Sequence, residues 1–136
     1  MTHWFYLANV KYFDVLGSFE AGVHYWPVKT KAAAGDILYV YLAEPYKQIA
    51  FECEIVRTGI EQEEVFAHVL PFIKCETPDK MDKKFMELKI QKSVPLTKDS
   101  PLGYSYLKEM GLKGRLLWPR NLDNCPELLS YIKAQI

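Results

Sequence analysis

The residues of this chain best suited to chemistry are aromatic. Tyr25 and Trp26 lie between Gly22 and Pro27, and a large indole in such a loop is costly to leave in water unless it lines a pocket or an interface. Tyr104, Tyr106 and Trp118 offer further ring faces later in the chain. Stacking a flat ligand on such a face contributes about 1–3 kcal/mol per ring, and a methyl group on the ligand adds apolar area to the same slot. Tyr39, Tyr41, Phe51 and Phe66 stand in strand-like or apolar runs and are expected to fill the core instead.

The search for catalytic chemistry is largely empty. The chain has no GxGxxG, GxxxxGK[ST], HExxH or GxSxG motif, and His3, His24 and His68 do not share a metal-ligand spacing. His24, two residues before Trp26, has a structural role as its first expectation. Glu52 and Glu54 project from one face of a strand and read as surface carboxylates rather than an acid–base pair. Cys53, Cys75 and Cys125 are odd in number, far apart and without a CxxC pair, so neither a disulfide framework nor a zinc knuckle is indicated. The expectation is a non-enzyme with no metal and no cofactor.

Composition narrows the class further. Seventeen basic and seventeen acidic residues cancel, so no global field draws the molecule toward a polyanion, and any such contact must come from a local basic face. With 49% hydrophobic and 25% charged residues in 136, a single globular domain spanning 1–136 is expected. No apolar run is long enough for a membrane span, and Met1-Thr2-His3-Trp4 lacks the basic-then-apolar form of a secretory leader; cytoplasmic residence is expected.

These aromatic residues need a scaffold. Trp4 to Val10 has strand composition, Lys11 to Gly17 a turn or short helix, and Ser18 to Gly22 reads as a polar loop. Ile37–Ala43 and Ile49–Arg57 fit a hairpin. Glu61 to Glu64 reads as a solvated acidic loop or edge, and Phe66 to Ile73 as helix or strand. A charged loop covers Thr77 to Lys84, and Phe85 to Ile90 alternates like a half-buried strand. Lys92 to Gly103, with Pro95 and Pro101, is irregular; Tyr104 to Met110 is a short helix with Asp99 or Ser100 as its cap; Gly114 to Pro119 returns to strand. Leu128, Leu129, Ile132 and Ile136 recur at helical spacing in Pro126–Ile136, with Asp123 or Asn124 as cap. The sum is an α+β domain, a small mixed β-barrel of five or six strands with two or three short helices, best protected by closing the sheet on itself.

The order of these segments resembles the EVE domain, a member of the PUA-like superfamily related to YTH domains. The resemblance rests on the opening strand His3 to Asn9, the loop Gly22-Val23-His24-Tyr25-Trp26-Pro27, the run Gly35 to Tyr41, and the late Leu112-Lys113-Gly114-Arg115. It covers nearly the whole chain. Val28-Lys29-Thr30-Lys31 stands where EVE loops usually carry an Asn-rich stretch. The resemblance implies a reader that flips a modified base of DNA or RNA, methylated in the expected case, into an aromatic cage, with a separately encoded nuclease or other effector as partner. By position, Trp26 is the first cage ring, with Tyr25, Tyr104, Tyr106 and Trp118 as further candidates, and Asn9 reads the base edge. Lys29, Lys31, Lys98, Lys113 and Arg115 are the phosphate-contact candidates. The alternatives are a small-molecule or nucleotide-binding domain using the same pocket, and a protein-interaction module presenting Pro126–Ile136 and Trp118.

Overall fold

The computed structural model describes residues 1–28, 31–74, 84–114, 116 and 119–136. Its centre is a mixed sheet built from β1 (His3–Ala8), β2 (Tyr25–Pro27), β3 (Ile37–Leu42), β4 (Gln48–Glu61), β5 (Lys84–Ser93) and β6 (Arg120–Asn121), in the order β2-β5-β4-β3-β1-β6. β1 and β3 run parallel, from His3 opposite Ile37 to Ala8 opposite Leu42, and the other pairings are antiparallel. The sheet curls into a half-barrel without closing. Its edge strands, β2 and β6, are three and two residues long, which leaves little unpaired backbone for another chain to extend.

Four helices complete the fold among the described residues: α1 (Val15–Glu20), α2 (Gln62–Val69), α3 (Tyr104–Glu109) and α4 (Pro126–Gln135). Strand alternation sends side chains to two layers. Trp4, Tyr6, Ala8, Leu38, Val40 and Leu42 face the inner layer, where Val15 and Phe19 of α1 cover them. Phe5, Tyr39, Tyr41 and Ile49 face the outer layer, under Leu107 of α3 and Leu128, Leu129 and Ile132 of α4. A third, smaller cluster joins Ile60, Val65 and Phe85.

β4 is the strand that bends the sheet. Val40 opposes Phe51 while Tyr41 opposes Ile49, so Ala50 is an extra residue, and further shifts interrupt the β4–β5 pairing between Glu52 and Ile60. A bulge of this kind bends the strand and re-aims its neighbours. Ile49 therefore faces the outer layer, whereas Ala50 and Phe51 both join the inner one.

Several expectations change here. Ser18 to Glu20 is helical rather than loop, because the Asp14 carboxylate caps α1 by accepting the Gly17 N–H at 3.0 Å. Glu63 and Glu64 lie in the first turn of α2, where the helix dipole favours acidic groups, and not in a loop. The segment from Phe66 resolves as helix to Val69 followed by a 3-10 turn, Leu70–Phe72, and Phe66 is exposed rather than core. Gly103, not Asp99 or Ser100, occupies the cap position of α3, and Ser100 Oγ instead accepts the Leu102 N–H. Cys125 precedes α4, while Asp123 is committed elsewhere: its carboxylate accepts from the His3 backbone N–H and sits 2.9 Å from His3 Nδ1. The late strand is Arg120–Asn121, and most of the loop expected at 77–84, like much of the strand expected at 114–119, lies outside the described residues.

Candidate functional site

The turn from α1 into β2 is built locally. The Val23 N–H bonds the Ser18 carbonyl at 2.8 Å and the Gly22 N–H bonds the Phe19 carbonyl at 3.1 Å. Gly22 holds φ at 81°, a left-handed value that ends helices with little cost only for glycine. Ser18 Oγ reinforces the reversal by donating to the Val23 carbonyl at 2.5 Å. The chain then pairs with β5, Trp26 opposite Met86, and the Leu88 N–H bonds the His24 carbonyl at 2.9 Å.

Alternation along β2 separates the two neighbouring aromatics. Trp26 turns into the inner layer and is 7% exposed. Tyr25 points away from it, packing on the Ile60, Val65 and Phe85 cluster with its ring 5.9 Å from that of His68. The two therefore do not form one slot.

The rings that do meet one another pair through Phe19 of α1. Phe19 lies 4.8 Å from Phe51 and 5.0 Å from His24, both edge-on, and 6.1 Å from Trp26 at a 43° tilt. Phe19 is itself 6% exposed, a core residue in contact with each of these rings. Phe51 and His24 are half-buried, which brings this cluster to the surface. The Asp14 cap and the helical spacing of Val15, Ser18 and Phe19 are the sequence signals that could have placed Phe19 here. Phe51 carried no such signal, because its facing depends on the bulge at Ala50.

One polar atom in the cluster is unusual. Trp26 Nε1 is buried and has no hydrogen-bond partner among the described residues, an arrangement that costs about 1–3 kcal/mol relative to a satisfied donor. The contrast is Trp4 on the same layer, whose Nε1 donates to Asp36 Oδ2 at 3.0 Å. Asp36 also accepts the N–H groups of Thr2 at 2.9 Å and Ala33 at 3.0 Å. Burial would raise its pKa, but these donors outweigh it and hold the carboxyl below its ordinary value. His24 Nε2 lies 3.1 Å from the Phe19 carbonyl; a carbonyl oxygen can only accept, so Nε2–H donates.

The remaining candidates are dispersed. The pairing register sets Trp26 beside the Asp36 end of β3, whereas Asn9 follows the Ala8 end of β1, where its Oδ1 accepts the Lys11 N–H at 3.1 Å in a turn. Tyr104 packs in the outer layer with Lys47 Nζ 5.4 Å from its ring, across the sheet from Trp26, and Tyr106 on the same helix is exposed. Lys31 is exposed next to Ala32, an inner-layer residue, while Lys98 and Lys113 are exposed on segments flanking α3. Lys29, Arg115 and Trp118 lie outside the described residues. Several other cations are engaged locally: Arg57 with Glu64 and Glu87, and Lys84 with Glu61. α4 spends Leu128, Leu129 and Ile132 on the outer core and so cannot present them to a partner.

Among the described residues no group of three or more His, Cys, Asp or Glu side chains could hold a metal, and no helix is long and apolar enough to cross a membrane. No family model matches the chain, and no curated protein does. Solved structures do. A ZmASCH variant from Zymomonas mobilis superimposes with a TM-score of 0.69 at 8% identity, over 98% of each chain. ASCH from the same organism gives 0.63 at 10% identity, over 95% of this chain and 94% of that one.

The fold is PUA-like.

Rpa0253 from Rhodopseudomonas palustris shares it more loosely, with a TM-score of 0.51 at 12% identity, over 82% of this chain and 72% of that one. At such identities the likeness concerns the backbone, and the inner face of the half-barrel found here is covered by the α1 and β2 residues just described.

Proposed function

We propose that this chain is a non-catalytic nucleic-acid-binding domain of the EVE type, which takes a methylated base, flipped from its DNA or RNA strand, into the aromatic cluster around Phe19. The observation that carries the reading is the buried, unpartnered Trp26 Nε1 on a ring that packs against Phe19. Buried donors are almost always paired, and a donor kept without a partner among the described residues is explained when a ligand atom completes it. The PUA-like fold is consistent with this use.

In this reading the base takes the place of the Phe19 ring. Only the Phe19 side chain must swing aside, since the Asp14 cap and the Ser18–Val23 bonds hold the α1 backbone in place. Flipping costs a few kcal/mol, and stacking at about 1–3 kcal/mol per base offsets only part of it. Phosphate contacts must supply the remainder, with Lys31 on the Trp26 side as the described candidate. The domain would act in the cytoplasm, and a separately encoded nuclease or other effector would act on the bound strand.

The test is a titration of intrinsic tryptophan fluorescence with short strands carrying cytosine, 5-methylcytosine, adenine or N6-methyladenine at one position. Preference for one methylated strand, abolished by Trp26→Ala and weakened by Trp26→Phe, is the expected result. Equal binding of all four strands by the native protein would remove the methyl-reading claim, and absence of any binding at low salt would remove the nucleic-acid reading.

A further inference from the structure

α2 and the 3-10 turn that follows it leave an apolar stripe in water. Val65 and Val69 are buried, Val65 against Ile60 and Phe85, while Phe66, Leu70 and Ile73 are 42%, 52% and 39% exposed. These are three of the eight exposed large hydrophobics among the described residues, gathered within eight positions, so the stripe is a patch rather than scatter. Its far end is held in place: the Ile73 N–H bonds the Leu70 carbonyl at 3.2 Å, and the Lys74 N–H bonds the Tyr12 carbonyl at 2.8 Å. The two ends differ in charge. Glu63 stands at the N-terminal end and Lys74 at the other, both exposed. The neighbouring acids Glu61 and Glu64 are paired with Lys84 and Arg57, whereas Glu63 and Lys74 have no ion pair among the described residues.

We propose that this stripe is the contact between two copies of the chain, packed antiparallel about a two-fold axis. Glu63, Ala67, Leu70 and Lys74 follow one another in steps of four, three and four, a spacing that reads the same from either end. Helix positions three and four apart share a face, and a two-fold axis makes every contact occur twice. One register therefore sets Glu63 against the partner's Lys74 and Leu70 against the partner's Ala67, whose small side chain leaves room for it. Phe66 and Ile73 flank this line and leave water together with it. A parallel arrangement would set Glu63 on Glu63 and Lys74 on Lys74, which is repulsive, so the charges select the antiparallel pair. Antiparallel helices also oppose their dipoles favourably. The face of one short helix and one turn buries less than the ~1,600 Å² of a standard interface, so the pair is reversible and forms at high protein concentration. It is independent of what the ring cluster binds.

The experiment is sedimentation velocity of the full chain over about 5 to 500 μM, the range in which a small interface associates. The native protein is expected to pass from monomer to dimer and no further, since the two-fold axis closes the contact. Leu70→Asp should leave a monomer throughout, with an unfolding midpoint close to the native one because Leu70 is exposed. Glu63→Lys and Lys74→Glu, each alone, should raise the dissociation constant by about 10-fold or more, two symmetry-related attractions having become repulsions. An equimolar mixture of these two variants should recover association, because opposite charges then face each other at both contacts. A native protein that remains monomeric at every concentration overturns the proposal. Association that survives Leu70→Asp overturns the assigned surface, and a mixture that associates no more tightly than its components overturns the antiparallel register.

Discussion

Replacing Phe19 with alanine separates a ring-binding site from ordinary core packing. The Phe19 ring is 6% exposed and touches three aromatic neighbours with centroids 4.8, 5.0 and 6.1 Å away. Its removal should destabilise the protein by about 3–5 kcal/mol, the usual cost of emptying a buried aromatic position. The helix should survive, since the Asp14 cap and buried Val15 are untouched. The vacancy is then the size of one six-membered ring, beside Phe51, His24 and Trp26. A free heterocycle that fits should restore stability by mass action, about 2.7 kcal/mol at a hundred times its dissociation constant. At about 3–5 °C per kcal/mol for a domain of this size, the midpoint should rise by about 10 °C. The assay is calorimetric unfolding of Phe19→Ala and native protein with 1-methylthymine or toluene. Both compounds should stabilise the variant far more than the native protein, 1-methylthymine the more strongly because it supplies the acceptor for Trp26. Affinity for the methylated strand should rise, because the competing side chain is gone. A variant that neither compound stabilises, and that binds strands no better than the native protein, would refute the idea that Phe19 stands in for a base.

Two further perturbations test the frame around the site. Asp36→Asn keeps only one of the two oxygens that accept from Thr2, Trp4 and Ala33, so it should cost about 2–4 kcal/mol in urea unfolding at pH 7. Because the folded pKa of Asp36 is depressed, its stabilisation is present above the ordinary carboxylate value of about 3.9 and is lost as pH falls through the folded value, so the native protein should weaken more than Asp36→Asn between pH 5 and strong acid; parallel curves would contradict this. Cys53 is fully buried and its thiol is pushed up to about 12 by burial and by the nearby Glu52 charge, whereas Cys125 is exposed. Iodoacetamide at pH 8 followed by mass mapping should modify Cys125 in the native protein and Cys53 only after unfolding, and rapid native labelling of Cys53 would mean that the inner layer is not packed as described.

The elements of this fold were legible in the sequence where local chemistry decides them. Alternation from Ile37 and from Phe85, the Pro126 start of the last helix, and the turn-forming residues at Gly22 and Gly35 each depend on neighbours a few positions away. The order of those segments was enough to indicate a small PUA-like α+β barrel, whereas the sheet stops at a half-barrel. Which residues share a face was not local. Tyr25 and Trp26 are adjacent in the chain and separate in space, because a strand sends successive side chains to opposite sides. Tyr104 and Tyr106 ride on a helix that covers the outer layer, so no local adjustment brings them to Trp26. Phe51 faces inward only because Ala50 is an extra residue against β3, a register decided by strand pairing at a distance. The sequence by itself determined the α+β class and the order of its segments. Tertiary structure alone decided that Phe19, Phe51 and His24 are the companions of Trp26, because pairing register and layer assignment arise from contacts between residues far apart in the chain.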